Sequence, residues 1–300
     1  IEDDLRKLDM AGKTKVDIVA LSFARTKKDI DILRNEMEKR NIDALIMAKI
    51  ESQEAIDHLD ELIQSSDAVM VARGDLGIEV PIEQLAHWQK HIITECRKHN
   101  KPVITATQML ESMIINPRPT RAEAVDVANA VFDSSDAVML SAESASGNYP
   151  VKAVEQMAKI VEYTEKHTKI PCADHPEDVT GLIIHAAESM FDAEYHPKVD
   201  AAVVFTETGY TARVFSACRP KFPIIAVSRS QKTVEKLTVS YGIKPFRMDY
   251  PGGDYSLPKE VFDNLKKQGV IEKGQKLMVI HGMNWQYPGG TNTVTLLTVA

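Results

Sequence analysis

The sequence predicts an α/β protein in two parts: a partial (β/α)8 TIM-type barrel, five of eight βα units, followed by a smaller α/β C-terminal domain. Three observations carry this. Short, nearly continuous apolar runs alternate with longer amphipathic stretches. A strand buried on both faces reads as an unbroken apolar run, and strict strand–helix alternation builds a parallel sheet. A motif also recurs, SSDAVMV at 65–71 and SSDAVML at 134–140. It is either a coincidence between two polar-to-strand entries or a repeated βα module, and the second reading favours a barrel of repeated units. Finally, the composition changes after the helical stretch 151–167, where KIPCADHPED (169–178) reads as a boundary loop. The expected parts are residues 1–168 and 169–300.

In the first part, strands are expected at VDIVALSF (16–23), ALIMAKIE (44–51), AVMVARGD (68–75), PVITATQM (102–109) and AVMLSAES (137–144). Between them, patterns such as KDIDILRNEMEKR and IEQLAHWQKHIITECRKHN place apolar residues at helical spacing. In the second part, VTGLIIHAAESMFDA is a helix candidate. Strands follow at 199–205, 223–228, 242–248, 276–282 and 293–299, with helical stretches at 211–218, 231–240 and 257–268. The last two strands are joined by MNWQYPGGTN, too short for a crossover helix, so they should pair antiparallel at an edge. The chain opens at Ile1, already inside a helix-like stretch, which reads as a fragment or as a chain with something removed upstream.

A chain of 300 residues has a prior of about two domains. Its 44% hydrophobic and 26% charged content is ordinary for a soluble globular protein. A formal charge of −7 argues against a nucleic-acid footprint, which would be basic. No apolar run approaches the roughly 20 residues of a membrane span, and no signal peptide is visible. Cys96, Cys172 and Cys218 are scattered, lie in no CxxC pair and suggest a reducing compartment.

Lys49 and Glu51, in AKIE, lie two residues apart on a strand and so face the same way. In a barrel both would point inward at the C-terminal end, where active sites sit; the alternative is a salt-bridged pair at a strand edge. ARGDLG ends the next strand. Gly74 there would let a ligand approach the backbone, and LGIEVPIEQL would start a short helix whose free N–H groups hold an anion. Asp75 and Glu51 then offer two oxygen ligands, which suits Mg²⁺; taken alone, the same motif reads as a turn. Thr105 and Thr107 would put two hydroxyls on one face of the fourth strand, either for a ligand or satisfied by backbone. Arg118 and Arg121 lie in a loop before a helix, as anion ligands or helix-entry salt bridges.

The segments AKIES, MVARGDLGIEVP, TATQMLESMIINPRPTRAEAVDVANAV, DAVMLSAESASGNYP, VVFTETGYTARVFSACRPKFPIIAVS and GGTNTVTLLTV together resemble the pyruvate kinase family, across essentially the whole chain. The resemblance implies transfer of phosphate from phosphoenolpyruvate to ADP, giving pyruvate and ATP in cytoplasmic glycolysis. Lys49 would stabilise the transferring phosphoryl group, and Glu51 and Asp75 would hold Mg²⁺ or Mn²⁺. Gly74 and Asp75 would bind the substrate carboxylate through backbone groups, Thr107 would contact substrate, and Ser22 would lie near metal and phosphate. It also implies three further βα units and a lid domain that these residues do not hold, carrying an arginine on the substrate phosphate, the K⁺ ligands and much of the nucleotide contact. Where many relatives read SGE, this chain has Ser141, Ala142 and Glu143. TETGYT looks like the family's effector phosphate loop, with Thr206, Thr208, Gly209 and Thr211 as its groups. Glu207 adds negative charge there and MNWQYPGG has no Arg or Lys, so a monophosphate fits better than a sugar bisphosphate. The complete enzyme is expected to be a homotetramer and this chain alone inactive. The competing readings are a non-catalytic truncated paralogue acting in ligand binding or subunit assembly, and a Mg²⁺-dependent lyase.

Overall fold

A computed structural model describes residues 2–170, 172–173, 176–192, 198–250, 257–282 and 290–300. The chain divides into two compact units, Ile1–Ile170 and Pro171–Ala300.

The first unit opens with helix α1 (Glu2–Thr14). It continues as β1 (Ile18–Leu21), α2 (Lys27–Lys39), β2 (Leu45–Ile50), α3 (Gln53–Asp57), α4 (Leu59–Ser65), β3 (Ala68–Ala72), α5 (Arg73–Glu79), α6 (Leu85–Lys98) and β4 (Val103–Ala106). It closes with α7 (Arg121–Phe132), β5 (Ala137–Met139), α8 (Ala142–Ala145) and α9 (Pro150–His167). The five strands form one parallel sheet in the order β1-β2-β3-β4-β5, so each βα unit adds a strand beside the last. This is a partial TIM-type barrel, as the alternation predicted.

β2 and β3 carry the apolar runs, and every described residue of β3 is buried. One face of the sheet packs on its helices through Ile46, Ala48, Ile50, Val69, Val71, Leu62 and Ile93. The other face gathers Met47, Ala68, Met70 and Ala106.

The recurring SSDAV motif has one structural job at both places. Asp67, just before β3, accepts the Ile46 N–H on its carboxylate at 2.9 Å, and its own N–H donates to Ile46 O. Asp136, just before β5, does the same with Val103, at 3.0 Å. Each aspartate thus brackets the neighbouring strand's entry and sets the register.

In the second unit, α10 (Val179–Asp192) precedes β6 (Ala201–Phe205), α11 (Tyr210–Ala217), β7 (Ile224–Ser228), α12 (Gln231–Leu237), β8 (Ile243–Arg247), α13 (Lys259–Lys267), β9 (Lys276–Gly282) and β10 (Thr291–Thr298). Their order is β10-β9-β6-β7-β8, with β10 antiparallel to β9 at the edge, as predicted. Most of the MNWQYPGG loop lies outside the described residues. Two apolar clusters, around Phe215 and Val204 and around Val203 and Leu265, cover the two faces of the sheet.

Cys172 and Cys218 form a disulfide across a separation of 46 residues, against the expectation from their scattered positions that the cysteines are unpaired and point to a reducing compartment. A backbone bond from Ala173 N to Ala217 O accompanies it. Cys96 remains a buried free thiol, and burial pushes its pKa up. No helix among the described residues is long and apolar enough to cross a membrane.

Candidate active site

Lys49, the last but one residue of β2, and Glu51, one residue past its end, do face the same way. Lys49 Nζ lies 2.5 Å from Glu51 Oε1 as an ion pair, and donates to Ser22 Oγ at 2.9 Å. Ser22 follows β1, so residues after two adjacent strands converge here. Glu51 is buried, at 1% exposure. A buried carboxylate needs a charge partner and hydrogen bonds. Lys49 supplies the charge, and the Phe23 backbone N–H donates to Glu51 Oε2 at 2.7 Å. Phe23 reaches this position at a φ of 51°. Glu51 Oε1 has no hydrogen-bond donor aligned on it.

The third strand's end differs from the sequence reading. The short helix begins at Arg73, not at Leu76, with Ala72 in the N-cap position and no side-chain cap. Gly74 and Asp75 therefore lie in the first turn, where backbone N–H groups have no intrahelical acceptor. Gly74 N–H donates to Thr107 Oγ1 at 2.8 Å. A Cβ at 74 would stand 3.4 Å from that oxygen, so glycine allows the close approach. Asp75 is exposed.

Thr105 and Thr107 do not share a face. β4 ends at Ala106, and Thr107 turns out of the pleat at a φ of 68°. Thr105 is fully buried and bonds Ser135 Oγ at 2.7 Å, so it packs and does not line the site. Arg118 and Arg121 are exposed; the entry to α7 is held instead by a capping box between Thr120 and Glu123. Glu143 is buried. It accepts the Leu110 N–H at 3.1 Å and the Ser141 N–H at 2.8 Å, tying the segments after β4 and β5 together. Sequence reasoning missed Phe23 and Glu143. For Phe23 the contributing group is a backbone amide, which no side-chain pattern marks.

In the second unit, Gly209 caps α11 at a φ of 84°, and its N–H donates to Thr206 Oγ1 at 3.0 Å. Thr206 and Thr211 are buried, and Thr211 Oγ1 bonds Thr291 Oγ1 at 2.7 Å. Thr208 alone of the three threonines is exposed. Glu207 does not leave its charge in the loop. Arg229 Nε and Nη2 reach Glu207 Oε1 at 2.9 and 2.8 Å, and the Tyr250 hydroxyl donates to the same oxygen at 2.8 Å. Burial, then the Glu207 carboxylate, push the Tyr250 pKa up. Burial and the Asp178 carboxylate likewise push Tyr210 up to about 12, with the Tyr210 hydroxyl 2.8 Å from Asp178 Oδ2.

A parallel βα sheet with a lysine, a buried carboxylate and first-turn amides at its strand ends has the layout of barrel proteins that act at that end. Residues 1–154 match the family model described as pyruvate kinase, barrel domain, and residues 185–297 match pyruvate kinase, alpha/beta domain. The chain belongs to the pyruvate kinase family. It is 41% identical to a pyruvate kinase of Dictyostelium discoideum, covering 99% of this chain and 60% of that relative. It is also 41% identical to one of Clostridium acetobutylicum, covering 99% of this chain and 64% of the relative. A Bacillus licheniformis pyruvate kinase is 39% identical, with 99% of this chain and 52% of the relative covered. The chain thus spans between half and two thirds of these curated relatives.

Proposed function

We propose that this chain is the larger part of a pyruvate kinase, a cytoplasmic glycolytic enzyme that moves phosphate from phosphoenolpyruvate to ADP. The observation that carries the reading is the Lys49 ammonium held between Ser22 Oγ and Glu51 Oε1 at a strand end. In the reaction, an ADP phosphate oxygen takes the phosphoryl group and the bond to the enol oxygen breaks. The enolate then takes a proton at its methylene carbon to give pyruvate. Such transfer depends mainly on positioning and charge neutralisation. Lys49 would face the transferring phosphoryl group, and Ser22 would keep its ammonium aimed. The first-turn amides of Gly74 and Asp75, with Thr107, would receive the substrate carboxylate.

Glu51 and Asp75 would hold a Mg²⁺ or Mn²⁺ ion. The support is Glu51 Oε1, buried without an aligned donor. Two carboxylates suffice, because Mg²⁺ keeps waters and substrate oxygens as its other ligands; no group of three or more His, Cys, Asp or Glu gathers among the described residues. The bound ion would supply charge neutralisation at phosphate and enolate oxygens. K⁺ would belong to the complete enzyme. Assembly into a homotetramer is part of the same reading. Sedimentation velocity of the complete enzyme tests it.

A phosphorylated effector would approach the second unit at Thr208 and Gly209, with Thr206 and Thr211 shaping the turn behind them. With Glu207 paired to Arg229, its charge no longer weighs against an anion there.

Mn²⁺ binding to the 300-residue chain, followed by electron paramagnetic resonance, tests the site. Glu51→Gln should weaken Mn²⁺ at least about tenfold, in line with the cost of disturbing metal-site groups. Unchanged Mn²⁺ affinity in that variant removes Glu51 from the metal site.

A further inference from the structure

We propose that Arg73 is the positioning residue of the strand-end site: its guanidinium, fixed by Asp126, holds the Thr107–Gln108 backbone so that the Thr107 hydroxyl meets the Gly74 amide. This rests on the reading of that pair as part of the substrate carboxylate's binding place.

Thr107 and Gln108 follow β4 with φ values of 68° and 52°. The left-handed region is sparsely used by residues other than glycine, and for a β-branched threonine it is an outlier. Two such residues in succession persist only where the surroundings over-determine them. Arg73 is that surrounding. It is 6% exposed. Nε and Nη2 donate to Thr107 O at 3.2 and 2.7 Å, and Nη2 also donates to Gln108 O at 3.0 Å. Nη2 also lies 2.8 Å from Met109 Sδ.

The far side of the guanidinium is fixed in turn. Nη1 lies 2.8 Å from Asp126 Oδ1 and 2.7 Å from Oδ2, and 3.3 Å from Gln89 Oε1. Only a planar fork can hold two successive carbonyls and a carboxylate at once; a lysine ammonium lacks that geometry. The residue after Arg73 is Gly74, whose N–H reaches Thr107 Oγ1. One turn therefore supplies both the clamp on the Thr107 backbone and the amide its hydroxyl meets.

The test uses the full chain with Arg73→Lys and Asp126→Asn, each alone and combined with Gln108→Gly. Two quantities are read: the Thr107–Gln108 backbone conformation, by crystallography or backbone ¹³C shifts, and phosphoenolpyruvate affinity in the presence of Mn²⁺, by calorimetry. Arg73→Lys should move both residues out of the left-handed region. It should weaken phosphoenolpyruvate by about tenfold to a hundredfold, the scale of an ångström-level misplacement, while Mn²⁺ affinity holds. Glycine takes positive φ at no steric cost, so Gln108→Gly should return much of the lost affinity. A merely structural arginine would show no such rescue. If Arg73→Lys does not fold, Asp126→Asn makes the same comparison with a milder loss. Thr107 and Gln108 keeping their φ in the variants, or equal loss of Mn²⁺ and phosphoenolpyruvate without rescue, overturns the proposal. If the unaltered chain binds no phosphoenolpyruvate, the reading of the site fails, and the backbone measurement alone decides the positioning.

Discussion

Lys49 is half shielded among Ser22, Glu51 and the strand end, so its ammonium is aimed before any substrate arrives. A preorganised charge acts on a transition state without reorganisation at the moment of reaction. In the complete enzyme, Lys49→Met should therefore lower phosphoryl transfer by about 10²–10³ or more, while phosphoenolpyruvate binding stays measurable. The same change leaves the Glu51 carboxylate buried without its charge partner. Removing one member of such a pair is costly, here up to about 3 kcal/mol since the Phe23 amide remains. Single-turnover kinetics beside thermal melts separate the two effects, and near-normal turnover takes Lys49 out of the mechanism. At this scale the sequence was legible where side-chain periodicity applied: two residues apart on a strand does mean one face. It misled at Thr107, because the left-handed turn after Ala106 breaks that periodicity. It was silent on Arg73, since nothing in ARGD says that the side chain reaches Thr107, Gln108 and Asp126.

The elements were legible because each carries its own signal. Every apolar run became a strand, and the aspartate before β3 and β5 explains why their entries look alike. Asp200 before β6 repeats the device in the second unit, accepting Lys276 N–H at 2.9 Å, without the serines that made the first two conspicuous. The start of α5 was misplaced because glycine and aspartate favour turns as readily as a helix's first turn. At α11 the outcome bears on ligand binding. Gly209 is needed for its positive φ, and a Cβ there would stand 2.8 Å from Arg213 Nη1 and 3.0 Å from Leu237 Cδ2. Gly209→Ala should therefore distort the turn. Calorimetry of the chain with sugar phosphates and nucleotide monophosphates should give heat that Gly209→Ala and Thr208→Ala each diminish. Absence of heat with every compound would sink the effector reading.

For the whole molecule, the sheet of the first unit decides what the chain can do alone. It holds five parallel strands, with β1 and β5 each paired on one side only among the described residues. An eight-stranded barrel buries inward side chains against an opposing layer. Here the inward face holds Met47 and Met70, both buried, with the partly buried Ile18, Ile104 and Met139 beside them, and no opposing layer is among the described residues. Unpaired strand edges also template association with other chains. The Lys49–Glu51 pair and the Gly74–Thr107 pair are nonetheless each formed, so weak metal and substrate binding is compatible with this state. Turnover asks for more. Water must be kept from the site for its charges to act at full strength, and a positioning error near an ångström costs about 10²-fold. We therefore expect the purified 300-residue chain to produce no pyruvate from phosphoenolpyruvate and ADP, and to gain activity only when the remaining length of its relatives is supplied. An assay coupling pyruvate formation to lactate dehydrogenase measures this. Robust turnover by this chain, with no other polypeptide detectable by mass spectrometry, would mean that five strands position the reacting groups well enough by themselves.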